Sequence, residues 1–276
     1  VFLRTLCAFL ALALAHAAAA QSYPSQPIRL VAPFPPGGSV DIIARFIAEP
    51  LSAQHGTRIV IDNRSGASGN IGMVATSPHV VVVNNKTQAK TIAELLRLAR
   101  ASPGKLSYAS AGVGSTFHLC GEMFKDATQT YILHVPYRGG GPAVQDTLAG
   151  QVDLSFPALA SALPHIKAGT LRALAVTGAA RSPLLPEVPT LREAGLKDFQ
   201  FTQWQVLLAP AGTPPTIVAR LNTALRNALN TKELRDKFEA GAFEVFITTP
   251  EEAGRFIAGE VTRFARLIKA QKITAD

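Results

Sequence analysis

The chain has 276 residues, 47% hydrophobic and 17% charged, with a formal net charge of +8. That is enough apolar sequence for a real core in one large or two modest domains. The positive charge forms no basic block and no basic stripe interleaved with aromatics, which argues against nucleic acid and leaves a role in drawing small anions toward a cleft.

Residues 1–20 read as a secretory signal peptide: Arg4 is a minimal basic start, Leu6 to Ala15 is apolar, and Ala18-Ala19-Ala20 precedes Gln21. Cleavage after Ala20 gives a periplasmic mature chain that begins at Gln21. The apolar run is shorter than the ~20 residues of a spanning helix, and Cys7 lacks the setting of a lipid attachment site. Only Cys120 then remains, so no internal disulfide forms. Its helical spacing from Phe117, Met123 and Phe124 makes it a core residue.

Ile28 to Val31 is a buried strand. Pro33, Pro35 and Pro36 hold the next residues extended, and Gly37 and Gly38 permit a tight turn. Ser39 is an N-cap for a helix whose apolar face is Ile42, Ile43, Phe46, Ile47 and Leu51. A helix N-terminus at the carboxyl end of a strand suits an anion, although Asp41 in the first turn opposes a bare phosphate. The alternative is a plain strand–helix connection. Arg58 to Ile61 is a second strand, and Asn63 to Gly69 is a glycine-rich loop.

Val80 to Val83 is a strand, and Thr91-Ile92-Ala93-Glu94 is a capping box for a helix through Arg100. Leu106 to Ala109 is a strand, Ser110 to Thr116 a glycine loop, and a helix follows to Lys125. Strands at Ile132–Val135, Val152–Phe156 and Leu171–Val176 alternate with helices at Pro142–Leu148 and Leu159–Lys167. This alternation predicts a parallel or mixed sheet covered on both faces. Phe201 to Leu208 is a strand. A helix beginning at Thr213-Pro214, a shorter one through Phe238 and a strand at Phe243–Ile247 come next. Thr249-Pro250-Glu251-Glu252 opens a last helix with Phe256, Ile257, Val261, Phe264 and Ile268 inward.

The loop Ser110-Ala111-Gly112-Val113-Gly114-Ser115-Thr116 repeats the logic of the opening stretch, with free N–H groups and hydroxyls suited to a carboxylate. It lacks nucleotide-fingerprint spacing, and the other reading is a helix cap. His118 reads as a cap or packing residue, and Arg138 as a solvated charge or a cleft residue. No nucleophile elbow, metal-spaced Cys/His set or paired catalytic carboxylates appear, so no cofactor, metal or catalytic residue is assigned. A hydrolase would need a triad that only assembly in space shows.

Tyr23-Pro24-Ser25-Gln26-Pro27-Ile28, Pro33 to Asp41, Asp62 to Gly72, Tyr108 to Thr116 and Val135-Pro136-Tyr137-Arg138-Gly139 closely resemble the Bug-type periplasmic solute receptors of tripartite tricarboxylate transporters. From Val74 the resemblance covers nearly the whole chain. It implies a two-lobed α/β fold of the type II periplasmic-binding-protein kind, with a ligand cleft between lobes. Lobe 1 would be residues 24–80 and 203–276, lobe 2 residues 81–202, with the C-terminal helices on lobe 1. By this resemblance Gly37, Gly38, Ser39 and Asp41 bind a small carboxylate from one side, and Ser110, Gly112, Gly114, Ser115 and Thr116 from the other. The protein would be a monomer that hands its ligand to membrane transporter subunits. Pro157 and Ala158 stand where the family usually carries a polar pair, which disfavours an amino-acid ligand.

One departure is large. In the family Asn70-Ile71-Gly72 opens a helix, then a strand and a second ligand-facing loop follow. Here Met73 leads almost at once into Val74 to His79, so about 30 residues or more, a β–α–β unit's worth, are missing. A sensory or vestigial paralogue with impaired binding is therefore the alternative function.

Overall fold

The computed structural model describes residues 23, 24, 26–32, 39–62 and 70–274. The expected leader, Gly37, Gly38 and the loop at 63–69 lie outside the described residues.

Strand β4 (Val80–Asn84) organises one half of the molecule. Its four valines are fully buried. Val81 and Val83 join a cluster with Tyr108, Phe124 and Phe156, while Val80 and Val82 join another with Phe117, Leu159 and Leu163. Alternating residues thus feed two cores, as a strand covered on both faces requires. Around it lies a mixed sheet of β6 (Leu133–Pro136), β5 (Ser107–Ser110), β7 (Leu154–Ser155), β4 and β8 (Leu171–Val176), in that order. Its helices are α2 (Ile92–Ala101), α3 (Thr116–Thr128), α4 (Gly140–Ala149) and α5 (Leu159–Lys167). Thr91 caps α2 by accepting the Glu94 N–H, but the Glu94 carboxylate accepts the Lys90 N–H and not that of Thr91, so only half of the expected capping box forms. Buried Asn84 donates to the carbonyls of Thr147 (2.8 Å) and Leu148 (2.9 Å), holding the end of α4 against β4.

The other half contains two separate sheets. β1 (Ile28–Val31) and β2 (Ile59–Asp62) form a parallel pair, and α1 (Ser39–His55) buries Ile43, Ile47 and Leu51. β3 (Asn70–Pro78) lies antiparallel between β9 (Thr202–Leu208) and β10 (Glu244–Val245). Helices α6 (Pro215–Leu229), α7 (Lys232–Ala240) and α8 (Pro250–Ala270) complete it.

Asn70-Ile71-Gly72, a helix start in the family pattern, is strand here. The reason lies in its partners. Asn222 of α6 donates to the Ile71 carbonyl (2.8 Å), and the Met73 N–H donates to the Thr248 hydroxyl (2.9 Å). These bonds satisfy the backbone where β3 is irregular against β9, between Asn70 and Ala75. A Cβ at Gly72 would sit 2.9 Å from the Asn222 side-chain nitrogen, so the position must be bare.

The last helix corrects two expectations. Val261 is 61% exposed, not inward. Nor does α8 pack on one half only. Phe256 meets Trp204 and Phe246 beside β9, whereas Phe264, Leu267 and Ile268 pack on the cluster of Tyr108 and Phe124. The helix spans both halves. Among the described residues no helix is long and apolar enough to cross a membrane.

Candidate functional site

The Ser110–Thr116 loop joins the end of β5 to α3. Ser110 is fully buried, its Oγ 2.6 Å from His134 Nε2 on β6, and it accepts the Gly112 N–H at 3.2 Å. Gly112 and Gly114 have φ of +117° and +74°, where an L side chain is strained, and a Cβ on Gly112 would also meet the Tyr137 carbonyl at 3.3 Å. Ser115 has extended geometry and caps α3 by accepting the His118 N–H.

The amides of the loop divide into two sets. Those of Gly112, Gly114 and Ser115 turn inward, to Ser110 Oγ, His118 Nδ1 (3.0 Å) and the Gly112 carbonyl (3.1 Å). Those of Val113, Thr116 and Phe117 make no hydrogen bond among the described residues. Two of these belong to the first turn of α3, where helix geometry leaves N–H groups unpaired and partly positive. With the Thr116 hydroxyl they form a donor set that matches a carboxylate, an acceptor-only group.

His118, which the sequence marks only as a cap or packing residue, organises the floor of this loop. Its Nδ1 accepts the Gly114 N–H, so its proton lies on Nε2, 3.8 Å from Glu122 Oε1. Its ring stacks on His134 at 4.0 Å and 10°. Glu122 accepts from the Tyr108 hydroxyl (2.7 Å) and from Lys125 (2.7 Å). Burial pushes the Glu122 carboxyl up, but the bonds from Lys125 and Tyr108 outweigh it and the net shift is down. Burial lowers His118, and burial with the His118 neighbour lowers His134 to about 4, so both rings are neutral near pH 7. The spacing of His118 four residues after Gly114 was the only sequence signal for this arrangement.

On the first side, Ser39 opens α1 and Asp41 lies in its first turn. Pro157 and Ala158 precede α5, whose N-cap Ala158 offers no side-chain acceptor or donor. Arg138 is exposed. Among the described residues no group of three His, Cys, Asp or Glu gathers as a metal site.

The two halves meet at a threonine. Thr177, just after β8, accepts the His79 N–H (2.8 Å) through its hydroxyl, which lies 2.5 Å from the Phe201 carbonyl and donates to it. Its own N–H and carbonyl bond His79 (2.9 Å) and Phe201 (3.0 Å). The outgoing crossover at His79 and the return at Phe201 are thereby tied at one point.

A model of the tripartite tricarboxylate transporter family receptor matches residues 70–273. The chain belongs to this receptor family. Among its relatives are the UPF0065 protein in the tcbD-tcbE intergenic region of Pseudomonas sp. (strain P51), 35% identical over 92% of this chain and 89% of that one, and BugT of Bordetella pertussis, 33% identical over 91% and 90%. A solved structure of R. palustris Rpa4515 with adipate superposes with a TM-score of 0.87 at 30% identity, over 92% of this chain and 99% of that one. MatC of Rhodopseudomonas palustris with bound malate gives 0.81 at 25%, over 89% and 100%. The fold is therefore the two-lobed α/β fold of the Bug-type periplasmic binding proteins, a family of receptors. The two curated alignments run over 299 and 295 positions, against 276 residues here, so these relatives carry stretches this chain lacks.

Proposed function

We propose that this receptor captures a small dicarboxylate in the periplasm and passes it to the membrane subunits of a tripartite tricarboxylate-type transporter. The observation that carries this reading is the donor set at the start of α3: the amides of Val113, Thr116 and Phe117 and the Thr116 hydroxyl. Relatives solved with adipate and malate support it. In this reading Ser110, Gly112, Gly114 and Ser115 shape the loop, while Gly37, Gly38, Ser39 and Asp41 approach from the first lobe. The lobes are residues 24–80 with 203–276, and residues 81–202. Residues 1–20 act as a cleavable leader. Binding requires no bond making, only closure over charge-assisted hydrogen bonds. A receptor with weakened binding is favoured by one observation, the chain that these relatives carry and this one lacks.

A thermal-shift and calorimetry panel of adipate, malate, the matching diamides and neutral amino acids tests the proposal. A ligand at ~100 times its dissociation constant adds ~2.7 kcal/mol. Stabilisation by a dicarboxylate and not by its diamide is expected. No response to any carboxylate at millimolar concentration would leave the weakened receptor as the function.

A further inference from the structure

β4 runs antiparallel to β7, which runs parallel to β5, so Asn84 ends β4 at the opposite end of the sheet from the Ser110–Thr116 loop. The turn after Asn84 is tightly folded. The Thr87 N–H donates to the Asn84 carbonyl (2.9 Å), the Thr87 hydroxyl to the Asp153 carbonyl (3.1 Å), and the Lys86 N–H to Asn84 Oδ1 (2.8 Å). Burial then alternates: Thr87 and Ala89 face in, while Lys86, Gln88 and Lys90 are exposed. With Arg97 of α2 and Arg172 of β8 these three line a crevice of about 390 Å³. Half-buried Arg172 is pinned at its wall, Nη1 donating to the carbonyls of Ala89 (3.2 Å) and Thr87 (3.4 Å). Four cations thus face one carboxylate, and that one, Glu94, already accepts the Lys90 N–H at 2.6 Å. Among the described residues none of the four cations forms an ion pair.

We propose that this crevice binds a small soluble phosphate of two or more negative charges, of the phosphate monoester or diphosphate kind. Three features select it. Cations gathered without counter-charges repel one another, and a multivalent anion removes more of that repulsion than a single carboxylate does. Arg172, held at one nitrogen, keeps a planar set of N–H groups that matches phosphate oxygens, and Lys86 and Lys90 add mobile point charges. The lining carries no large apolar side chain, such as would anchor the crevice on a membrane and make a lipid headgroup the occupant. Every lining residue is described, and the described residues that flank 33–38 and 63–69 all belong to the other half of the molecule.

The test is calorimetry and heteronuclear NMR on the full chain, titrated with inorganic pyrophosphate at constant ionic strength and with acetate for comparison. Pyrophosphate shifts the amides of 86–90, 97 and 172, leaves 112–118 unmoved, and binds at least about tenfold more tightly than acetate. Lys86→Gln combined with Lys90→Gln weakens it at least about tenfold without lowering the urea midpoint. Should that midpoint fall, Arg97→Gln, at an exposed side chain with no bond to lose, is measured instead and gives the same direction. No saturable shift at 86–90 in millimolar pyrophosphate, equal binding of acetate, or unchanged affinity in the variant overturns the proposal. So does binding to phosphatidylglycerol vesicles without any response to soluble pyrophosphate, since the crevice would then be a membrane contact.

Discussion

His118 and His134 stack face to face beneath a loop whose Gly114 amide one of them accepts. That makes the loop sensitive to acid. The unfolded chain takes up a proton on each histidine near pH 6.5. Folded His134 waits until about 4, and buried His79 until about 3, with no partner for either ring nitrogen. The unfolded state therefore binds more protons in this window. Stability is full above about pH 6.5 and falls as pH drops toward 4. Allowing for the partial exposure of His134, its share is ~1–2 kcal/mol. Urea midpoints at pH 7.5 and 4.5 check this, and His134→Gln should reduce the difference by its share, leaving that of His79. Equal midpoints for the parent would contradict it.

The loop residues should separate into two classes. Thr116→Val removes a hydroxyl from the donor set and weakens a dicarboxylate by ~1–2 kcal/mol, with little change in stability. Ser115→Ala removes the α3 cap and lowers stability by ~1 kcal/mol. Calorimetry with parallel denaturation distinguishes them. Identical affinity in Thr116→Val and the parent would remove Thr116 from the site.

Gly121 on α3 lies against Tyr108, where a Cβ would be 2.5 Å from the ring. Tyr108 is fully buried and bonded to Glu122, so it has nowhere to retreat. Gly121→Ala should cost ~1–3 kcal/mol through overpacking. A lowered urea midpoint with unchanged slope is the expected result.

Thr177→Val keeps the volume at the crossover but removes the hydroxyl shared by His79 and Phe201. The His79 N–H loses its acceptor, and the loss is ~1–3 kcal/mol. Thr177→Ser should recover most of it, and failure to do so would assign the effect to packing of the methyl group.

Protection from hydrogen exchange should be uneven along the chain. Among the described residues the β1–β2 pair is two strands alone, a marginal unit packed against α1. β3 is almost wholly buried between two partners, and β4 is fully buried. Residues 28–31 and 59–62 should exchange fast beside 73–84 and 107–110. Uniform protection would show that the pair does not open separately.

Local signals were legible in the chain. Thr249 and Glu252 form the reciprocal capping box that their spacing implies, and the Val80–Val83 run is the doubly covered strand it suggests. The Ser110–Thr116 loop also lies between a strand and a helix. What sequence could not show was set by partners distant along the chain. Asn70-Ile71-Gly72 runs on into Met73 as strand, where Asn222 and Thr248 meet the Ile71 and Met73 backbone from 151 and 175 residues away. Which loop amides remain open depends on His118 and Ser110, which accept two of them and both lie against His134 of β6. The placing of α8 failed for a similar reason: its apolar stripe is real, but two different cores share it.

That sharing has a mechanical meaning. From Phe256 to Ile268 is about 18 Å of continuous helix, clamped near one end by Trp204 and near the other by Phe201 and the α3 side chain of Asp126, which accepts from Gln271. Two strands tied at Thr177 would form a nearly free pivot; α8 turns it into a sprung one. A tilt of about 10° would move the far clamp by ~3 Å over that length, enough to part packed side chains. The angle between the two halves therefore has a rest position, and any movement that changes it strains the packing of this helix.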